Sequence, residues 1–267
     1  MPLNRYVRAV ILIIMAVCVL VPLSLLILRT FAYSWFFPRL FPELSLQNIK
    51  AYIDSGTIQK PLVNSITLSA LVTLISAVVG ILPAKVFGTR NFRFKIALYI
   101  FLLIPAVTPG ICIMFGLIEA LINMGIYRKY LSMVLCQVAF TTPYFIFIMI
   151  PVFKRYDVSL EQQSSILGVG KLSTLLNVTL PAVKSGLATS MMLTFVISWS
   201  MYLITSVSAP RGFSTMATVL IPQLSFGYAM DSYVAVTAFI FMIPAVISLI
   251  ISTLVIGSDR SNARRAR

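Results

Sequence analysis

The run Gly168-Val169-Gly170-Lys171-Leu172-Ser173-Thr174 is the stretch whose residue types come closest to nucleotide chemistry. A phosphate-cradling loop reads G-x-x-x-x-G-K-[ST]: backbone N–H groups wrap the phosphates, the lysine reaches the terminal ones, and the hydroxyl that follows holds magnesium. Here the position five before Gly170 is Ser165, and the residue after Lys171 is Leu172. Both anchors fail. The remaining reactive residue types are equally poor in pattern: histidine is absent, the 7 acids are scattered, and Cys18, Cys112 and Cys136 lack metal-ligand spacing. Metal-assisted and triad chemistry both need such groups clustered, so the chain reads as a non-enzyme with no metal or cofactor of its own.

The elements that carry these residues are apolar. Hydrophobic residues make up 59% of the 267 residues, charged ones only 10%, and mean hydropathy is +0.98, where a soluble domain has about 25% charged residues. Apolar stretches over 10–28, 65–87, 96–122, 131–153, 184–207 and 233–256 each reach the roughly 18 residues that suggest a membrane-crossing helix. The expectation is an all-α integral membrane protein of six transmembrane helices, forming a single domain over 1–267. The first stretch exceeds the 7–15 apolar residues of a secretory signal and no A-x-A-like site follows it, so it reads as a retained span.

A formal charge of +14 raises nucleic acid as a partner, but the distribution is topological. With the N-terminus inside, fourteen of the 21 basic residues fall on the inner side and seven on the outer. That bias follows the positive-inside rule with both termini cytoplasmic. Nucleic acid is therefore not expected.

Two connecting segments stand out. The outer one, 29–64, holds Trp35, Phe36, Phe37, Pro38, Phe41 and Pro42, a composition suited to a short interfacial segment. The inner one, 154–183, is long enough for two short helices. Ser159 is the expected N-cap of the first, with Gln162 as its capping-box partner. Gly168 and Gly170 are expected to supply the positive φ of a turn. A second helix resumes with Leu172, Leu175, Leu176 and Val178 as an apolar stripe and stops at Pro181, with Lys171 facing solvent or headgroups.

The order Leu160-Glu161-Gln162-Gln163-Ser164-Ser165-Ile166-Leu167-Gly168-Val169, then Val178-Thr179-Leu180-Pro181, resembles the cytoplasmic loop signature of inner-membrane permeases of bacterial ATP-binding-cassette importers. In the branch that serves iron(III), thiamine, polyamines and phosphonates, the loop reads Leu-Glu-Glu-Ala-Ala, then Leu-Gly-Ala, with Leu-Pro about a dozen residues after the glycine. The spacing of Glu161, Gly168 and Pro181 agrees, and Ser198-Trp199 matches a Ser-Trp pair common in the fifth core helix. Gln162, Gln163 and Ser164 depart from the usual residues.

The resemblance implies that 154–183 contains a coupling helix docked on an ATPase dimer, with ATP and magnesium on those partners. Leu160, Glu161, Gln162, Gln163, Leu167, Gly168, Leu180 and Pro181 would form that coupling element, Glu161 offering its carboxylate to the partner. It further implies a second permease subunit, either another copy or, as that branch often has it, a different chain, with an extracytoplasmic substrate-binding protein, surrounding membrane lipid and a multi-pass place in the bacterial inner membrane. The alternative reading is that 154–183 is simply an amphipathic interfacial hairpin.

Polar residues inside apolar spans are the candidates for a solute pathway: Thr141, Thr142 and Tyr144 in the fourth span, and Ser198, Trp199, Ser200 and Tyr202 in the fifth. Packing between helices and, for Trp199 and Tyr202, an interfacial aromatic belt are the alternatives. Pro105, Pro109 and Gly110 are expected to kink the third span. Glu119 is the one acid inside a span and Lys85 is expected to snorkel at the inner end of the second. An ion-coupled secondary transporter would want ionisable groups near the midplane and inverted repeats, which the sequence does not display.

Overall fold

The chain is built around two long helices that lie against each other, α3 (Gln59–Thr89) and α6 (Tyr130–Lys154). In this computed structural model, which describes residues 5–32, 35, 42–225 and 232–265, the described residues are helical apart from turns and one isolated bridge between Ala32 and Leu44. Small residues explain how closely the pair meets. An added Cβ at Gly88 would lie 2.5 Å from Phe153 Cβ and 3.0 Å from the Ile150 carbonyl oxygen, so the backbone of α3 touches α6 where only glycine fits. Ala77, Ile81, Ala84 and Phe87 of α3 pack there on Phe145, Met149 and Phe153 of α6.

α10 (Lys184–Trp199) packs on both helices, and α13 (Ser232–Arg265) packs on α10. α1 (Arg5–Thr30) lies along α13, where the Thr30 hydroxyl donates to the Ala235 carbonyl at 3.2 Å. Outward faces carry Leu12, Leu20, Leu74, Val78 and Leu254, all exposed. Apolar side chains outside and hydroxyls inside is the arrangement lipid requires, because lipid offers no polar partner to a hydroxyl.

The spans expected at 10–28, 65–87, 131–153 and 233–256 correspond to helices that are long and apolar enough to cross a membrane: Ala9–Thr30, Gln59–Thr89, Tyr130–Lys154 and Ser232–Val255. The count rises to six when two bent helix pairs are each taken as one span. The stretch expected to cross at 96–122 is two helices, α4 (Lys95–Val107) and α5 (Gly110–Asn123), bent by 92°. Pro109 disfavours helical backbone at the residue before it, and Thr108 is extended (φ −73, ψ 133).

The stretch expected at 184–207 also breaks. α10 ends at Trp199, and α11 (Tyr202–Ser208) begins after Ser200 and Met201. Between 29 and 64, Phe36, Phe37, Pro38 and Phe41 lie outside the described residues, while α2 (Gln47–Asp54) packs on α13. Its Tyr52 is buried, and the Tyr52 hydroxyl accepts from Thr237 at 2.7 Å.

Candidate functional site: the hairpin between α6 and α10

After Lys154 the chain forms α7 (Ser159–Ile166), turns, and resumes as α8 (Lys171–Thr174). Ser159 is not the cap. It is the first helical residue, and its N–H is accepted by the Asp157 carboxylate at 2.9 Å. Two hydrogen bonds, with the Ser159 backbone and with its hydroxyl, hold the Asp157 carboxyl below its ordinary range. An acid just before the helix offers a charged acceptor to its orphan donors, which a serine hydroxyl does less strongly.

The turn is made by one glycine. Gly168 has φ +75, its N–H reaches Ser165 O at 3.0 Å, and Val169 N–H reaches Ser164 O at 3.1 Å. These paired bonds close the end of α7 as a Schellman motif, whose left-handed position favours glycine. Gly170, expected to share that role, is extended at φ −64 and ψ 153 and opens α8.

The second arm does not stop at Pro181. A π turn over Leu175–Thr179 follows α8, then α9 (Leu180–Ala182) contains the proline, and the break falls at Val183, where the chain bends 84° into α10. Proline cannot donate the ordinary helical bond, but near the start of a new short helix that donor has no obligatory partner. The widened turn upstream carries the change of register.

Three side-chain links fix the hairpin. Ser164 and Thr174 hydroxyls meet at 3.0 Å, buried between the arms. Thr179 donates to Glu161 Oε1 at 2.7 Å. Lys85 of α3 donates to Glu161 Oε2 at 2.6 Å, with the two side chains 24% and 19% exposed. Partial burial pushes the Glu161 carboxyl up, yet the hydrogen bonds from Lys85 and Thr179 and the Lys85 charge outweigh it and hold the group below the usual carboxylate range.

Glu161 therefore faces inward, to α3, rather than outward as the resemblance implied. Lys85, expected to reach for headgroups, is its partner. Sequence reasoning had placed both residues at the inner end of the molecule without joining them across 76 positions.

The tip of the hairpin turns large apolar side chains outward. Ile166, the last helical residue of α7, is 85% exposed and Leu167 after it 81%, and Leu172 and Leu176 of the second arm are exposed as well. Leu160, Gln162, Gln163 and Pro181 lie on the surface, while Leu180 packs inward against the α3–α6 core. A cleft of about 530 Å³ runs between the hairpin and the end of α3, bordered by Lys85, Arg90, Glu161 and Lys171.

The pathway candidates divide by burial. Thr141 and Ser76 hydroxyls meet at 2.8 Å, and Thr142 bonds back to Val138 O at 2.7 Å, both threonines being buried. Ser198 donates to Gln137 Oε1 at 2.6 Å, and Gln137 donates to Thr205 at 2.7 Å. Trp199 stacks on Phe195 and its indole N–H donates to Phe241 O at 3.0 Å. Thr141, Ser198 and Trp199 thus bond between helices, while the Thr142 bond stays within α6. Tyr144 and Tyr202 are half-buried and Ser200 is exposed, its hydroxyl bonded back to Val196 O at 2.9 Å. Gln137, fully buried at the junction of α6, α10 and α11, was missed, although it is the only side-chain amide in its helix.

Among the described residues, no group of three or more His, Cys, Asp or Glu could hold a metal ion. Residues 73–267 match the family described as binding-protein-dependent transport system inner membrane component. The chain is 25% identical over 196 residues to the trehalose/maltose transport system permease protein MalG of Thermococcus litoralis, covering 72% of this chain and 70% of that one. It is 23% identical over 172 residues to a spermidine/putrescine transport system permease protein PotC homolog of Mycoplasma genitalium, covering 60% of this chain and 57% of the relative. In fold it is similar to a chain in the crystal structure of a bacterial transporter that imports the acidic polysaccharide alginate, with a TM-score of 0.71, 17% identity, and coverage of 93% and 94%.

Proposed function

The chain belongs to the family of binding-protein-dependent transport system inner membrane components, and from that premise we propose that it forms half of a solute pathway driven by a separate ATPase. As a member of that family it is a membrane transport component of the permease class, not an enzyme. The proposal concerns how it works: residues 1–267 act as one permease domain in the bacterial inner membrane, the 154–183 hairpin docks on an ATPase dimer that carries ATP and magnesium, and a second permease subunit of different sequence completes the pore. An extracytoplasmic binding protein delivers the cargo. The loop motif supports the branch named for iron(III), thiamine, polyamines and phosphonates, and the relatives' names range from a disaccharide to a polyamine.

One observation carries the reading. A turn at Gly168 presents Ile166 and Leu167 almost fully to the outside, while Glu161, five and six residues before them, is tied to α3 through Lys85. Large apolar side chains at the tip of a rigid, otherwise polar helix mark a protein contact. Force applied at that tip reaches α3 through the ion pair and α10 through the second arm and its bend at Val183. Leu160, Gln162, Gln163 and Pro181 would border the contact. Tyr144, Ser200 and Tyr202 remain the pathway groups with surface to offer.

A photo-crosslinking amino acid at Leu167 tests this in membranes containing the assembled transporter. It should capture the ATPase, while the same probe at Val78, exposed on the lipid-facing side of α3, should not. Capture of lipid alone at both positions would overturn docking. Solute uptake that follows an ion gradient and ignores ATP would favour the ion-coupled alternative.

A further inference from the structure

A cleft of about 420 Å³ opens beside the turn that precedes α6. α6 has 25 residues and is therefore about 37 Å long at 1.5 Å per residue, and the hairpin follows its other end. The cleft and the hairpin thus sit at opposite ends of the molecule. Arg128 and Arg211 border the cleft, together with the hydroxyl-bearing residues Tyr202, Thr205, Ser206 and Thr218. No acid is among its lining residues. Both arginines are exposed, and neither has a carboxylate within ion-pair distance among the described residues.

The walls of this cleft are fixed rather than loose. Thr205 accepts from the buried Gln137. Ser132 Oγ approaches Ser208 O at 3.4 Å, and the Tyr130 and Phe213 rings meet edge to face at 5.8 Å. Arg128 is the one non-glycine residue with positive φ among those described, at +55, and its guanidinium lies 5.5 Å over the Tyr127 ring. A bulky side chain in left-handed backbone is a costly placement that calls for a reason. Aiming a guanidinium at the cleft from a held position supplies one.

We propose that this cleft binds the cargo by an anionic group, a carboxylate or a phosphate, on a solute the size of a sugar. Guanidinium forks match the two oxygens of a carboxylate or phosphate, and the volume falls within the range of small-molecule sites, about 300–1,000 Å³. Two unneutralised arginines repel a cation by the same field. The inference rests on the permease reading, since it concerns where a transported solute first meets this chain. Thr205 links the cleft to Gln137 and so to Ser198 of α10, the helix whose other end continues into the hairpin.

The test uses the purified full chain in lipid nanodiscs, with radiolabelled glucuronate, inorganic phosphate, glucose and spermidine as probes in equilibrium dialysis. Glucuronate or phosphate should bind saturably, and glucose and spermidine should not. Arg128→Gln and Arg211→Gln should each weaken anion binding about tenfold, the loss of one charge-assisted contact. Absence of anion binding, or equal binding by the double variant, overturns the proposal. Unchanged anion binding with weaker capture of the binding protein would assign the arginines to a protein contact instead, which also overturns it. ATPase co-purification with the same variants keeps the outcomes separate: its retention leaves the docking reading standing whatever happens in the cleft.

Discussion

Lys85 Nζ lies 2.6 Å from Glu161 Oε2, so the last turns of a long apolar helix are joined to the first turn of a short surface one. The same carboxylate takes a second bond from Thr179 on the returning arm. One side chain thereby holds both arms of the hairpin and α3 in a fixed relation. The motif acid, which the resemblance assigns to the partner interface, works here as an internal brace of the hairpin.

Removing the brace from either side should loosen the hairpin. Lys85→Met leaves a half-buried carboxylate with only the Thr179 and Tyr156 hydroxyls, a loss of about 1–3 kcal/mol for the missing charge-assisted bond. Hydrogen exchange of the amides of 159–166 should rise in Lys85→Met and in Glu161→Gln, with helix content unchanged. Exchange equal to the parent chain would show that the pair contributes nothing to holding the loop.

The brace should also weaken in acid. Because the folded Glu161 carboxyl is held below its ordinary value, its stabilisation is fully present above the unfolded value and is lost as pH falls through the lowered folded one. Protease cleavage between 154 and 183 should therefore be slow at neutral pH and rise only on the acid side of the usual carboxylate range. Glu161→Gln should remove that step. A loop equally cleaved at neutral and acid pH in the parent chain would contradict the assignment.

Close approach of α3 to α6 depends on Gly88. Its added methyl would meet Phe153 Cβ at 2.5 Å and backbone at 3.0 Å, so Gly88→Ala must part the helices at a cost of about 1–3 kcal/mol. Thermal unfolding in detergent should shift down for Gly88→Ala. Gly116→Ala, which meets open space, should not shift down, and equal behaviour of the two would remove the packing argument.

Gln137→Leu should destabilise through a different route. It strips Ser198 of its acceptor and Thr205 of a donor in a fully buried setting, costing about 1–3 kcal/mol. The same unfolding measurement reads it, and a parent-like midpoint would mean that the hydroxyls find other partners.

How much of this was legible in the sequence depends on the kind of signal. Long apolar runs announced α1, α3, α6 and α13, since lipid demands length and apolarity together. Gly168 was legible as a turn because the left-handed backbone asks for glycine. Breaks inside apolar runs were harder. Pro109 signalled one of them but not its 92° angle, and the break after Trp199 has neither proline nor glycine: Ser200 turns its hydroxyl back on the Val196 carbonyl. Partnerships distant along the chain, such as Lys85 with Glu161 or Gln137 with Ser198, left no local pattern to read. The arginine cleft escaped for the same reason, since Arg128 and Arg211 are brought together only by folding.

The docking of the hairpin tip on an ATPase is the central claim, and Gly168→Leu tests it most directly. The position has φ +75 and no atom within 4 Å of an added Cβ, so the substitution strains the turn by about 1–2 kcal/mol and alters the outward surface without crowding the core. Transport in membranes with verified expression, and co-purification of the ATPase, should both fall sharply while the protein stays inserted. Parent-level transport and ATPase recovery by Gly168→Leu would contradict the account.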